Sequence, residues 1–226
     1  MIIAIDGPAG SGKSSTARAV ASKLGITFLD TGAMYRAITL KALRENIAHD
    51  DDEKLADLVK NTKLRFSETG SKTLVLMDDE DVTEPIRGEA VTSHVSDYCA
   101  RDVVRESLVE QQRQISSGRS VVAEGRDIGT AVFPDAQIKI FMCASVKERA
   151  LRRKRDFDKL GIEKSVDELI KEIEIRDLKD STRKNSPLCK AEDAIELDTT
   201  GMTLEEQIDF IVKKASAFLG TETRNS

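Results

Sequence analysis

The run IIAIDGPAGSGKSS that opens this chain limits what it can fold into more than any other stretch. It reads as a short apolar strand over Ile2 to Ile5, a glycine-rich turn and the start of a helix, with Gly7, Gly12, Lys13 and Ser14 matching the spacing GxxxxGK[ST]. Glycines let the backbone turn tightly and present successive N–H groups, to which the following helix adds its positive end. The residues Gly7, Pro8, Ala9, Gly10, Ser11, Gly12, Lys13, Ser14 and Ser15 are therefore expected to cradle a polyphosphate. Lys13 is expected to reach the β- and γ-phosphates, and the Ser14 hydroxyl to sit on Mg²⁺. Thr16 to Leu24 continues as an alanine-rich helix stopped by Gly25, and the short apolar run before the turn suits a buried parallel strand.

A chain of 226 residues is long enough for one α/β domain with insertions. The first apolar run is too short to span a bilayer and Asp6 interrupts it, so neither a signal peptide nor a membrane helix is expected and the setting is cytoplasmic. Cys99, Cys143 and Cys189 are widely spaced, with no CxxC and no nearby histidine, so neither disulfides nor a zinc site are indicated. A net charge of −5 argues against a protein that coats nucleic acid.

Along the chain, Thr27 to Leu29 reads as a second parallel strand, followed by Asp30-Thr31-Gly32 and a helix from Ala33 to Arg44. After an acidic loop at Asp50-Asp51-Asp52 and a short helix, the runs Leu64 to Ser67 and Thr73 to Met77 read as an antiparallel hairpin turning around Gly70. Such a hairpin is foreign to a parallel sheet, so an inserted subdomain is expected, continuing through Pro85 into a helical segment with Val91, Val95 and Ser96. Asp102 is expected to cap a helix reaching Ser117 and ended by Gly118, with buried strands at Ser120 to Glu124 and Ile138 to Cys143. Capping-box spacings at Ser145 with Glu148, Ser165 with Glu168 and Thr203 with Glu206 mark three later helices, and a last strand spans Ala194 to Leu197. The tail from Thr221 to Ser226 reads as frayed.

The expected architecture is an α/β three-layer phosphate-loop fold with a five-stranded parallel sheet, an antiparallel insert and a helical lid. Its core would comprise residues 1–57, 98–148 and 188–220, with the insert at 58–97 and the lid at 149–187.

Phosphoryl transfer calls for positioning and positive charge rather than covalent help from the protein. Arg36, Arg126, Arg176 and Arg183 lie after strand ends or on arms, where a doubly wound sheet places ligands, and are expected to face one cleft. Several arginines on one anion indicate a phosphorylated acceptor. Such an acceptor is already ionised and needs no general base, which fits a chain whose histidines, His49 and His94, lie outside the phosphate-facing segments. The run KERALRRKR, Lys147 to Arg155, places Arg149 and Arg153 on one helix face. It reads as a solvated face, as a lid with those arginines on the transferring phosphate, or as an RNA patch; aromatics to stack on bases are scarce there.

These residues resemble the bacterial-type cytidylate (CMP/dCMP) kinases of the nucleoside monophosphate kinase superfamily. The resemblance spans about residues 1 to 220 and rests on IDGPAGSGKSS at Ile5 to Ser15, LDTGAMYRA at Leu29 to Ala37, EGRDIGTAVFPDA at Glu124 to Ala136 and IRDLKDSTRKNSPL at Ile175 to Leu188. It implies an ATP-binding core, an acceptor-binding insert and a closing, arginine-bearing lid. Carried over by position, it implies that Arg36, Arg126 and Arg183 grip the acceptor's phosphate beside Tyr35 and Thr31. Arg176 and Asp180 would meet the ribose hydroxyls, and Ser96, Arg105 and Asp127 the cytosine. Two positions depart from the commoner pattern: Thr31 stands where serine is frequent, and Glu124 where aspartate is frequent.

The expected activity is phosphorylation of CMP and dCMP by ATP with Mg²⁺, by a monomer that binds neither nucleic acid nor membrane. The alternatives are a kinase for another small metabolite, an RNA-associated protein on the same phosphate loop, and a nucleotide-gated switch. A switch needs an early DxxG and an NKxD; the one DxxG considered, Asp198-Thr199-Thr200-Gly201, falls late, and NKxD is absent.

Overall fold

The computed structural model describes residues 1–69, 72–159 and 161–222. In chain order its elements are β1 (Ile2–Asp6), α1 (Lys13–Leu24), β2 (Thr27–Asp30), α2 (Thr31–Arg44), α3 (Asp52–Lys60), β3 (Leu64–Thr69), β4 (Lys72–Met77) and β5 (Glu80–Asp81). They continue as α4 (Glu89–Cys99), α5 (Asp102–Ser116), β6 (Val121–Gly125), β7 (Ile138–Cys143), α6 (Val146–Lys159), α7 (Val166–Thr182), β8 (Ile195–Asp198) and α8 (Leu204–Glu222). The chain forms two compact units, Met1–Phe28 with Gly118–Ser226, and Leu29–Ser117.

The first unit is built on a five-stranded parallel sheet in the order β2-β6-β1-β7-β8. β1 is the central strand, in parallel register with β6 (Ile3 opposite Val122) and with β7 (Ile5 opposite Ile140). Four of its five residues are buried, as expected of a strand covered on both faces. Ile3, Ile5, Val122, Ile140 and Met142 form one core with Ala17 and Val20 of α1 and Ile211 and Ala215 of α8. Burying each large aliphatic side chain contributes about 1.5–3 kcal/mol. Because β1 sends its connection one way across the sheet and its neighbours β6 and β7 send theirs the other, the carboxyl ends of these strands form a topological switch point. Asp6, Gly125 and Cys143 end the three strands there.

A helical pair, α6 and α7, completes this unit around a small core of Ala150, Leu169 and Ile173, with Phe157 and Ile170 packed against it. The Ser165–Glu168 capping box closes in both directions at the start of α7, and Thr203 and Glu206 do the same before α8. At Ser145 only half of the box forms. The Glu148 amide donates to Ser145 Oγ at 3.2 Å, while the Glu148 carboxylate turns to Arg152, one helical turn on, at 3.0 Å.

In the second unit, α2 starts at Thr31, two residues earlier than the sequence suggests, because Asp30 Oδ1 accepts the Ala33 amide at 2.8 Å and makes Asp30 the cap. Asp102 is the first residue of α5 and not its cap; Arg101 holds the cap position, its side chain making no bond to the helix start. From the first turn, the Asp102 charge still favours the positive helix end. The antiparallel hairpin pairs Leu64 with Met77 and Thr69 with Lys72; the turn expected at Gly70 lies outside the described residues. A third short strand, β5, follows the two-residue turn Asp78-Asp79, whose φ values of 51° and 70° belong to the mirror-image turns that close hairpins.

Relative to the sequence reading, β6 and β8 are each displaced by one residue, and α5 ends at Ser116, short of Ser117. α8 runs to Glu222, past the start of the tail read as frayed, and residues 223–226 lie outside the described residues. No helix among the described residues is long and apolar enough to cross a membrane.

Candidate active site

The phosphate loop leaves β1 through Gly7, whose φ is 147° and where an added Cβ would sit 2.0 Å from the carbonyl oxygen of Met142. Only glycine lets the loop pass this close to β7. Gly10 and Gly12 also hold positive φ, 77° and 96°, and α1 then begins with no side chain capping its first turn. The amides of that turn have no partner within the helix and suit an anion. Ser11 Oγ is buried and has no hydrogen-bond partner among the described residues. Such an orphaned donor beside an uncapped helix start fits a polyphosphate.

Lys13 is buried, with Nζ donating to the Pro8 carbonyl at 2.8 Å. Burial, followed by the neighbouring charge of Arg126, pulls its ammonium well below the usual lysine range. Ser14 Oγ donates to Glu124 Oε1 at 2.5 Å. Among the described residues, no group of three or more His, Cys, Asp or Glu is placed to hold a metal. The donor set is one hydroxyl backed by one carboxylate, which suits a Mg²⁺ that keeps waters and phosphate oxygens as its other ligands.

The carbonyl side of the loop is gripped by α6. Arg149 Nη1 donates to Ala9 O at 3.1 Å and pairs with Asp177 at 2.7 Å. Arg152 Nη1 donates to Ser11 O at 3.1 Å and to Thr199 Oγ1 at 3.0 Å, and its Nη2 to Thr199 O at 2.6 Å. Arg149 and Arg153 therefore have different surroundings: Arg149 is buried behind the loop, whereas the Arg153 guanidinium stands 5.1 Å from the centre of the Phe157 ring. Sequence reasoning missed Arg152 altogether. The only sequence signal it carries is the i,i+4 spacing to Glu148, which predicts an ordinary surface pair.

Beyond β6, Arg126 Nε donates to Asp180 Oδ2 at 2.8 Å. Burial, the largest influence, opposes the charge of both groups, but their mutual attraction together with the neighbouring charges outweighs it, holding the guanidinium above and the carboxyl below their ordinary ranges. Arg183 Nε donates to Ser186 O at 2.7 Å, and its Nη2 to Asp127 Oδ1 at 3.4 Å. Arg176 lies close enough to act electrostatically on both Lys13 and Asp180. Asp6 is buried at the end of β1 and accepts the amides of Ile128 and Gly129, each at 2.7 Å. The first unit thus gathers Lys13, Arg126, Asp127, Arg176, Asp180 and Arg183.

The other sequence-predicted residues belong to the second unit. Thr31, Tyr35 and Arg36 lie on α2, with Arg36 Nη1 donating to Thr92 Oγ1 of α4 at 3.4 Å. Ser96 lies on α4 and the buried Arg105 on α5, its guanidinium 5.4 Å from the Tyr35 ring centre and its Nη1 donating to Cys99 O at 3.4 Å. A cation over a ring face fixes α5 to α2 within this unit.

A parallel sheet in this order, with a glycine loop at its switch point and a buried lysine opening the next helix, defines a phosphate-loop nucleotide-binding fold. A family model described as cytidylate kinase matches residues 3–217, and the chain belongs to the cytidylate kinase family. A cytidylate kinase of Streptococcus suis (strain 05ZYH33) is 49% identical over 218 residues, covering 96% of this chain and 97% of that protein. A bifunctional pantoate ligase/cytidylate kinase of Trichormus variabilis is 54% identical over 215 residues. The match takes in 93% of this chain, which spans 40% of the length of that relative. A crystal structure of an uncharacterized protein from Eubacterium ventriosum has a TM-score of 0.51 at 14% identity, covering 95% of this chain and 97% of that one, a likeness of fold alone.

Proposed function

We propose that this protein transfers the γ-phosphoryl group of ATP to CMP or dCMP, giving ADP and CDP or dCDP. The observation that carries the reading is the match to the cytidylate kinase family over residues 3–217. The local geometry supports it, because a buried lysine and arginines at the carboxyl end of a parallel sheet supply the charge that a transferring phosphoryl group needs.

In this reading the loop from Gly7 to Ser15 holds the donor phosphates through its amides, and Lys13 moves from the Pro8 carbonyl onto the phosphate oxygens. Mg²⁺, when bound, neutralises phosphate charge; Ser14 would hold it, with Glu124 fixing the direction of that hydroxyl. Arg149 and Arg152 keep the loop in shape from its carbonyl side, while Arg153 is assigned to the lid and would leave Phe157 to meet the donor phosphates.

Arg126 and Arg183 are assigned to the acceptor's phosphate. Both are paired with carboxylates, so a doubly charged phosphate would exchange with Asp180 and Asp127, releasing Asp180 to work with Arg176 on the ribose and Asp127 to meet cytosine. Thr31, Tyr35, Arg36, Ser96 and Arg105 of the second unit are assigned to acceptor recognition by the family pattern. Cytosine offers acceptors at O2 and N3 and an amino donor, which arginine and carboxylate complement; uracil reverses part of that pattern. The residues 58–97 are assigned as the acceptor-binding insert and 149–187 as the closing lid. The reading also takes the enzyme as a cytoplasmic monomer working on small molecules, and its net charge of −5 suits a protein that does not coat nucleic acid.

Release of ADP from ATP with CMP, dCMP, UMP, AMP, GMP and dTMP compared side by side tests the reading. Turnover confined to CMP and dCMP supports it, and turnover with none of the six contradicts the acceptor assignment.

A further inference from the structure

Among the described residues, Asp6 is a buried carboxylate that holds neither donor, acceptor nor metal. Asp6 ends the central strand and is 5% exposed, and the phosphate loop begins at the next residue. Its two oxygens accept the consecutive amides of Ile128 and Gly129, both at 2.7 Å, across 122 and 123 residues of sequence. These amides open a single π-helical turn, Ile128–Val132, in which Ala131 and Val132 both donate to the Asp127 carbonyl and Phe133 donates to that of Ile128. The first amides of a helical turn have no partner inside it, and here the Asp6 carboxylate supplies their acceptors. Isolated π turns are uncommon and concentrate at functional sites. Gly129 permits the close approach, since a Cβ there would lie 3.2 Å from Lys139 Cδ and 3.4 Å from Asp6 Oδ2.

We propose that Asp6 is a positioning residue for phosphoryl transfer: its carboxylate clamps the backbone of Ile128 and Gly129 and so fixes Arg126 and Asp127 relative to the phosphate loop. The role rests on the acceptor assignment of Arg126 and Asp127 made above. One hydrogen bond fixes a distance, whereas two from a planar carboxylate to successive amides also fix orientation. Misplacing a binding group by about 1 Å can lower a rate by about 10²-fold. The clamp is strongest with both oxygens as charged acceptors, the form that the ionised carboxylate provides. Burial opposes that form and raises the carboxyl to about 6, against the pull of the two amides; Asp127 adds to the rise and Lys13 acts against it. Lys139 of β7, whose stem packs over Gly129, has its ammonium paired with Asp193 at 2.8 Å. The fold thus retains an ionised group at this point although its burial is unfavourable, as expected where geometry is needed more than stability.

Two measurements test the clamp. In Asp6→Asn an amide NH₂ replaces one acceptor, and the proposal expects the CMP KM to rise and kcat to fall, each by about 10-fold or more, with the Kd for ATP alone changed by less than about 2-fold. Unchanged kinetics, or ATP affinity lost as severely as CMP affinity, overturns the positioning role. In the wild-type chain, the Ile128 and Gly129 amide resonances should titrate together with a midpoint at about 6. Amides that ignore pH between about 5 and 7 overturn the clamp, whether or not Asp6→Asn folds. Titrating amides in a chain that does not phosphorylate CMP support the clamp and overturn the assigned reaction, so the two failures are distinguishable.

Discussion

Ser14 Oγ donates to Glu124 Oε1 at 2.5 Å, joining the first turn of α1 to the end of β6 by a short, charge-assisted hydrogen bond. The carboxylate aims the hydroxyl without being the hydroxyl's replacement, so its loss should act through the metal. Glu124→Gln is expected to weaken Mg²⁺-dependent nucleotide binding and activity by about 10–100-fold. Titrating Mg²⁺ against ATP binding and against kcat checks this; equal Mg²⁺ requirements in variant and wild type contradict it.

Arg152 joins three segments, the phosphate loop at Ser11, the turn after β8 at Thr199 and its own helix at Glu148. Arg152→Ala removes one of two donors from the carbonyls of Ser11 and Thr199, which keep the Thr199 hydroxyl and the Met202 amide, and is expected to cost about 1–3 kcal/mol of unfolding free energy. Arg152→Lys should recover little of it, because an ammonium cannot reproduce the planar fork that serves Ser11 and Thr199 together. Urea unfolding of the three proteins measures the difference, and an alanine variant as stable as wild type refutes the role.

Gly7 and Gly25 both hold positive φ, 147° and 65°, but differ in surroundings. A Cβ at Gly7 meets the Met142 carbonyl, whereas one at Gly25 meets nothing within 4 Å. Gly25→Ala is expected to cost about 1–2 kcal/mol, the strain of a left-handed residue alone. Gly7→Ala should cost about 3 kcal/mol or more, through displacement of the loop from β7. Thermal unfolding of both variants tests the contrast, and equal costs contradict it.

The glycine loop was legible because its information is local: the spacing alone places Gly7, Gly12, Lys13 and Ser14. The caps at Ser165 and Thr203 were legible for the same reason. The half-formed box at Ser145 was not, since Glu148 faces a choice between its own helix start and Arg152, and the guanidinium prevails only in the folded helix. Asp30 as a cap went unread because Thr31 and Gly32 are poor helix formers, yet a single side-chain bond to Ala33 offsets their propensity. The Arg152 network and the Asp6 clamp bring together residues more than a hundred positions apart, which periodicity cannot report.

Asp6 also sets a pH dependence of stability. Its carboxyl rises from 3.8 to about 6 on folding, chiefly through burial. Between those values the folded chain holds a proton that the unfolded chain has released. The contribution therefore favours the fold fully below about pH 4 and is lost as pH rises through about 6, amounting to about 3 kcal/mol. The stability of wild type minus that of Asp6→Asn should fall by roughly this amount from about pH 4 to 7. A difference that is flat or rises over that range contradicts the assignment.

Transfer of a phosphoryl group to a cytidine monophosphate can be followed with the label of γ-labelled ATP in the presence of CMP. Label is expected in the β-phosphoryl group of CDP, with ADP formed in equal amount and no release without acceptor. Label appearing only as inorganic phosphate, at a rate indifferent to CMP, would contradict it.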